Sequence, residues 1–217
     1  VFLLRPPGVY RPQDDTDLLV EALAALPLAP GSRVLDVGTG TGALAVTAAR
    51  IGAGEVTALD VSRRALSAAW LNARLRRVPV RVRRGEAPAA ASRGPFELIV
   101  ANPPYVPWPG AGRRVTRWDA GEDGRAVLDP LCETVPELLA WHGSFLLVQS
   151  GLSGVDATLA ALRGRRLVTT VPVRRWVPFG PVLRRRREYL ERRGLVRRDQ
   201  REEELVVIRA DRRERPE

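Results

Sequence analysis

A chain of 217 residues, 45% of them hydrophobic, is long enough for one α/β domain with an ordinary core. With Cys132 and His142 as its only cysteine and histidine, it excludes an intrachain disulfide, and no metal site is expected. All 35 basic residues are arginine, and against 25 acids they give a net charge of +10.

The charge is uneven. Residues 163–217 carry 18 arginines against 9 acids, while residues 1–162 are nearly neutral. The C-terminal part is therefore a candidate surface for a polyanion such as RNA, a ribosome or DNA. A genome that replaces lysine with arginine would give the same composition on a merely solvated face. No apolar run approaches the roughly 18 residues of a membrane span, and no basic-then-apolar leader opens the chain. The expectation is a soluble cytoplasmic protein.

Strands and helices alternate along the chain. Asp14 to Leu26 reads as a first helix, with acids at its start and Leu18, Leu19, Leu23 and Leu26 at helical spacing. Arg33–Val37 is a short buried strand, and Gly42 to Ile51 the helix after it. Glu55–Asp60 is a second strand; Ser62 caps a helix running to Arg76. Val78–Arg83 and Phe96–Ala101 are the third and fourth strands. A helix from Arg125 to Trp141 contains Pro130 and Pro136, and Ser144–Gln149 is the fifth strand. Val155–Leu162 is a helix. Arg166–Val173 and Glu204–Arg209 are the last two strands, separated by a basic insertion at 174–201 that holds a helix from Val182 to Arg193. The pattern predicts one domain over 1–217, with residues 1–30 as an N-terminal segment and helix. Its fold would be a Rossmann-like seven-stranded, mostly parallel sheet with an antiparallel last strand and helices on both faces.

Asp36-Val37-Gly38-Thr39-Gly40-Thr41-Gly42 follows the first strand and opens a helix. Glycines here permit a tight turn and close approach of a ligand to backbone N–H groups. Gly38, Gly40 and Ala43 also satisfy a dinucleotide pattern, so a nicotinamide or flavin site has to be weighed. Asp36 opposes it, because a carboxylate before the turn repels a pyrophosphate and attracts a cationic amino-acid moiety. Asp60, closing the second strand, can accept both hydroxyls of a ribose. Glu86, with the Ala87 backbone beside it, can accept from an adenine amino group. The plainer readings are a helix-capping Asp60 and a surface Glu86.

Asn102-Pro103-Pro104-Tyr105 ends the fourth strand. Proline holds the residue before it in extended geometry, so the Asn102 side chain and the Pro103 carbonyl are displayed at the strand's carboxyl tip. Two acceptors there can hold both N–H bonds of a planar NH2 group and orient its weakly nucleophilic nitrogen. The plainer reading is a proline-stiffened turn with a buried tyrosine.

Four segments together resemble a class I S-adenosylmethionine-dependent methyltransferase, and more narrowly the HemK-type release-factor glutamine methyltransferases in their short archaeal and eukaryotic form. Val9 to Thr16 resembles the family's Y-x-P-x-x-D-T segment, and Asp36 to Gly42 its glycine-rich cofactor loop. Asn102 to Tyr105 matches its NPPY motif. Trp118 to Gly124 is similar to its A-x-x-G-G-x-x-G segment, with Glu122 in place of a glycine. The resemblance implies S-adenosyl-L-methionine as cofactor, contacted by Thr16, Asp36, Gly38, Gly40, Gly42, Asp60, Glu86, Ala87 and Asn102. It implies catalysis by Asn102, Pro103, Pro104 and Tyr105. It also implies a protein substrate, a release factor foremost, and a small activator subunit.

Departures bear on the partners. The roughly thirty residues before Arg33 cannot supply the helical domain that bacterial members use to recognise the release factor. The 174–201 insertion matches neither branch, and reads as a substrate lid, an RNA-binding surface or a structural cover; long insertions in compact domains tend to be functional. The leading expectation is N-methylation of a protein glutamine. N6-methylation of adenine in RNA or DNA, a cofactor-binding scaffold without catalysis, and a nicotinamide oxidoreductase are the alternatives.

Overall fold

The computed structural model describes residues 3–110 and 115–213, so the two ends of the expected 1–217 domain lie outside the described residues. Its strands are β1 (Arg33–Val37), β2 (Glu55–Asp60), β3 (Val80–Arg84), β4 (Phe96–Ala101), β5 (Leu139–Ser150), β6 (Leu167–Pro178) and β7 (Glu202–Arg212). Its helices are α1 (Asp14–Ala24), α2 (Ala43–Arg50), α3 (Arg63–Leu75), α4 (Leu128–Leu138), α5 (Val155–Gly164) and α6 (Pro181–Arg192). The strands form one seven-stranded sheet in the order β3-β2-β1-β4-β5-β7-β6. β1 to β5 pair in parallel, and β7 runs antiparallel to both neighbours, β5 and β6. The Rossmann-like architecture expected from the sequence is the one observed.

Apolar runs build the centre of this sheet because a parallel strand covered on both faces has no solvated side. Ile99, Val100 and Ala101 of β4 and Phe145 to Val148 of β5 are all buried. Helix α2 touches both α1 and α3, while α4 packs on α5 and on a 3-10 turn, Ala87–Arg93. The Ser62 hydroxyl accepts from the Ala65 N–H at 3.3 Å, as an N-cap should.

Register places the site. Val37 pairs with Leu59 on one side and Ala101 on the other. The next residues in each chain, Gly38, Asp60 and Asn102, therefore emerge side by side where the strand order reverses, the crevice in which open α/β sheets bind ligands.

Element bounds differ from the sequence expectation in several places. The helix read as Arg125 to Trp141 is α4, Leu128–Leu138, and the chain then enters β5 through an irregular register between Phe96 and Leu98. The Arg212 guanidinium donates to the carbonyls of Pro136 and Leu139 at 3.1 and 2.6 Å, meeting α4's terminal oxygens from a distant strand. The Ala87–Arg93 turn had no counterpart in the sequence reading. The insertion begins later than 174, because residues 174–178 continue β6 and pair with β7 from Arg174–Val206 to Pro178–Glu202.

The remaining connection, 179–201, carries α6. Pro181 occupies its first turn, where a missing N–H costs nothing. Phe179, Leu183, Leu190 and Val196 form a small core of their own that packs against Val106 and Leu152. Arg186 donates to the Pro107 carbonyl at 2.9 Å and pairs with the fully buried Asp119. The Tyr189 hydroxyl donates to the Glu122 carbonyl at 2.9 Å. Thus α6 clasps the chain that follows Tyr105.

That chain turns back at Gly124, with φ +77°, where a Cβ would collide with the Tyr105 carbonyl oxygen. Gly124→Ala should therefore lower stability by about 2–3 kcal/mol in urea denaturation. Gly164→Ala, whose Cβ meets nothing within 4 Å, should be neutral or stabilising and serves as the control.

Candidate active site

A cavity of about 560 Å³ opens above the tips of β1, β2 and β4. Its wall includes Thr16, Gly38, Gly40, Asp60, Glu86, Ala87 and the whole of Asn102 to Tyr105. Ten of the twelve residues singled out in the sequence thus face one space, though they come from five separate segments.

Asp36 and Gly42 stand behind the wall. The Asp36 Oδ2 accepts from the Thr39 hydroxyl at 2.6 Å and the Ala45 N–H at 3.0 Å, clamping the glycine loop onto the start of α2. Its Oδ1 is buried with no hydrogen-bond partner among the described residues. Burial pushes its carboxyl up to about 7, against the opposing pull of those two donors. Gly42 has φ +83°, and a Cβ there would lie 2.9 Å from the Ala69 Cα, so it serves the close approach of α2 to α3.

The loop is tied down on its other side by β2. Gly38 and Thr39 N–H groups donate to the Leu59 carbonyl at 2.8 and 2.9 Å. The Asp60 carboxylate accepts from the Gly40 N–H at 3.0 Å and from the Ser62 N–H at 2.8 Å. Ser62, not Asp60, caps α3; Asp60 ties the glycine loop to the chain entering that helix and also lines the cavity. The site fits a nucleoside bearing an amino-acid tail. Asp60 suits vicinal hydroxyls, Glu86 and the Ala87 backbone an amino-substituted ring, and the orphaned Asp36 oxygen a nearby cation.

At the opposite wall, one buried carboxylate gathers the polar groups. Tyr10 and Tyr105 hydroxyls both donate to the Asp15 Oδ2, at 2.8 and 2.9 Å. The Thr16 N–H and hydroxyl both donate to its Oδ1. The Asn102 Nδ2 donates to the Thr16 Oγ1 at 3.1 Å. Burial, with the Asp15 charge behind it, raises both tyrosines above their usual range, so they remain hydroxyl donors. The Ser153 hydroxyl holds the Tyr105 carbonyl at 3.1 Å.

Sequence reasoning quoted Tyr10 and Asp15 inside the N-terminal segment but gave neither a role. The available signal was Asp15 standing directly before Thr16 in that segment. Asn72 was missed altogether. Its amide donates to the carbonyls of Leu4 and Thr41, binding the N-terminal segment to the glycine loop.

Glu203 of β7 is a second buried carboxyl close to Asp15. Burial, reinforced by the charges of Asp15 and Asp14, pushes it up to about 7. In the unfolded chain a glutamate loses its proton near 4.3. Between those values the folded state binds the extra proton, so stability falls as pH rises through the window. Urea midpoints measured at pH 5 and pH 8 should differ less in Glu203→Gln than in the unsubstituted protein; an unchanged gap would remove Glu203 from this account.

The family model described as Methyltransferase small domain matches residues 3–165. The Deinococcus radiodurans release factor glutamine methyltransferase is 44% identical over 149 residues, covering 63% of this chain and 52% of that protein. The chain thus spans about half the length of this bacterial relative. The Mus musculus methyltransferase HEMK2 is 33% identical over 175 residues, 75% of this chain and 81% of that one. Among solved structures, the methyltransferase of the E. cuniculi Mtq2–Trm112 complex, which methylates the eRF1 termination factor, superposes with a TM-score of 0.65 at 21% identity. That superposition covers 94% of this chain and 99% of the other. The chain belongs to the methyltransferase small domain family, whose class I fold uses S-adenosylmethionine as cofactor.

Proposed function

We propose that this methyltransferase, read as one catalytic unit, methylates the side-chain amide nitrogen of a glutamine in a protein, a peptide chain release factor foremost. The observation that carries the reading is the Asn102 amide: its Nδ2 is committed to Thr16, which leaves its Oδ1 as the acceptor beside the cavity. The names of the D. radiodurans and E. cuniculi proteins support a release-factor glutamine as the acceptor.

Bound in the cavity, S-adenosylmethionine supplies an electrophilic methyl group on a sulfonium. In our reading Gly38, Gly40, Asp60, Glu86 and Ala87 hold it directly, while Thr16 and Asn102 border it and act on the substrate amide. Asp36 acts from behind through its charge, and Gly42 through the shape of the turn. Asn102 Oδ1 and the Pro103 carbonyl take the two N–H bonds of the substrate amide. Neither Pro103 nor Pro104 carries an N–H, so this backbone offers the amide acceptors only. Holding both bonds turns the nitrogen toward the methyl and stabilises the positive charge that develops on it. Tyr105, anchored by Asp15, packs against the planar group.

Two partner surfaces accompany this reading. Helix α3 exposes Trp70, Leu71 and Leu75 beside β3, the edge strand of the sheet, which suits a small activator subunit of the kind in the E. cuniculi complex. The 179–201 connection holds nine arginines against three acids, and Arg184, Arg185 and Arg198 line an open groove on its outer side. That groove suits RNA or the ribosome, and it is the observation that favours N6-adenine methylation as a second reading. No helix among the described residues is long and apolar enough to cross a membrane; we infer a cytoplasmic enzyme, where release factors and ribosomes work.

Two measurements test these assignments. Labelled S-adenosylmethionine supplied with release factor, ribosomal RNA and DNA should mark the release factor at glutamine. Asn102→Ala should reduce transfer by about 100-fold or more with cofactor affinity little changed, and label on nucleic acid alone would replace the leading reading by the second. Changing Arg184, Arg185 and Arg198 together to glutamine, while sparing the clasping Arg186, should weaken ribosome binding and lower its salt slope by up to about 3. An unchanged slope would make these arginines a solvated face.

A further inference from the structure

We propose that Asp15 and Thr16 are positioning residues that decide which end of the Asn102 amide faces the substrate. The inference rests on the reading of Asn102 as acceptor of a planar NH2 group.

Polarity runs one way through three side chains. A carboxylate offers only acceptors, so the Thr16 hydroxyl, 3.1 Å from the Asp15 Oδ1, spends its single proton there. The Thr16 oxygen is left with lone pairs alone toward Asn102. Only the NH2 end of that amide can satisfy them, and it does so at 3.1 Å. The carbonyl end is thereby turned to the cavity. An asparagine without this arrangement could flip and present two donors to a substrate that itself brings two N–H bonds.

Asp15 is held against rotation. Its other oxygen takes the hydroxyls of Tyr10 and Tyr105, so the residue that orients Asn102 also anchors the aromatic ring of the same motif. The Thr16 N–H pins the first oxygen through the backbone. Asp15 is 3% exposed and Thr16 5%, so water does not compete for these bonds.

The chain contains only two asparagines, Asn72 and Asn102. Protein labelled with ¹⁵N-asparagine therefore shows two side-chain NH2 groups, and Asn102→Ala identifies which is which. In Thr16→Val, which keeps the shape and removes the hydroxyl, water exchange of the Asn102 NH2 protons should speed by about tenfold, the worth of one hydrogen bond. Turnover on release-factor glutamine should fall by about 100-fold while the KM for S-adenosylmethionine stays within about threefold. Thr16→Ser, which restores the hydroxyl, should recover both readouts. Unchanged NH2 exchange in Thr16→Val overturns the proposal whatever the activity. A raised cofactor KM with kcat intact also overturns it, because Thr16 would then act as a cofactor contact. Faster NH2 exchange in a protein that labels no glutamine would sink the substrate reading and leave the positioning role standing.

Discussion

One buried carboxylate organises one wall of the cavity. Asp15 lies in the first turn of α1, where an acid suits the helix dipole, yet it points inward and accepts from four donors. Burying a charge is tolerable only with such company. The requirement works in both directions: the donors stabilise the carboxylate, and the carboxylate dictates where every proton in the cluster points. Tyr10 and Thr16 come from the N-terminal segment, Tyr105 from the loop after β4. Removing Asp15 would leave three hydroxyls and one backbone N–H to reorganise around a void.

The sheet supplies the complementary constraint. A parallel register between β1 and its two neighbours puts Gly38, Asp60 and Asn102 in adjacent positions, so the ligand-facing residues need no long loops to reach one another. The wall formed by the glycine loop is fastened twice, by Asp36 from below and by the Leu59 carbonyl from the side. Rigid elements thus carry the loop and the strand tips, while α1 brings the polar cluster against them. The wall of the cavity is held in place by the protein's own hydrogen bonds.

Much of this was legible in the sequence because the features involved are local. Strand β4 announces itself as an apolar run closed by prolines, and the glycine loop by its spacing. The misread elements depend on distant residues. Nothing near Leu138 says that α4 stops there; Arg212, on the last strand, meets its final carbonyls. The sequence reading ends β6 at Val173 because Arg174, Arg175 and the run from Trp176 to Pro181 look like the start of a basic insertion. On an edge strand the missing N–H of Pro172 or Pro178 can face solvent, and β6 is such an edge. Asp15 was overlooked for a related reason. Flanked by Asp14 and Asp17, it reads as one more solvated acid at a helix start, and only the return of Tyr105 from ninety residues away distinguishes it.

Helix α6 shows how one basic segment divides its labour by depth. Its i,i+4 pairs, Arg187–Glu191 and Arg192–Glu188, lie at the surface and are worth a few tenths of a kcal/mol each. Arg186 differs because it faces inward, bridging the Pro107 carbonyl and the buried Asp119 with one planar guanidinium. A lysine ammonium presents a compact point charge in place of that two-pronged fork. Asp119 also accepts from the Val115 N–H, so the guanidinium adds a charged partner to a carboxylate already held by the backbone. The pair adds little net stability over an apolar contact but fastens α6 beside the small core of Phe179, Leu183, Leu190 and Val196, against which Val106 packs. Because Val106 follows Tyr105 directly and lines the cavity, the seat of α6 helps set the wall that an incoming substrate must pass. The connection between the last two strands is thus packed against the chain that forms one side of the cavity.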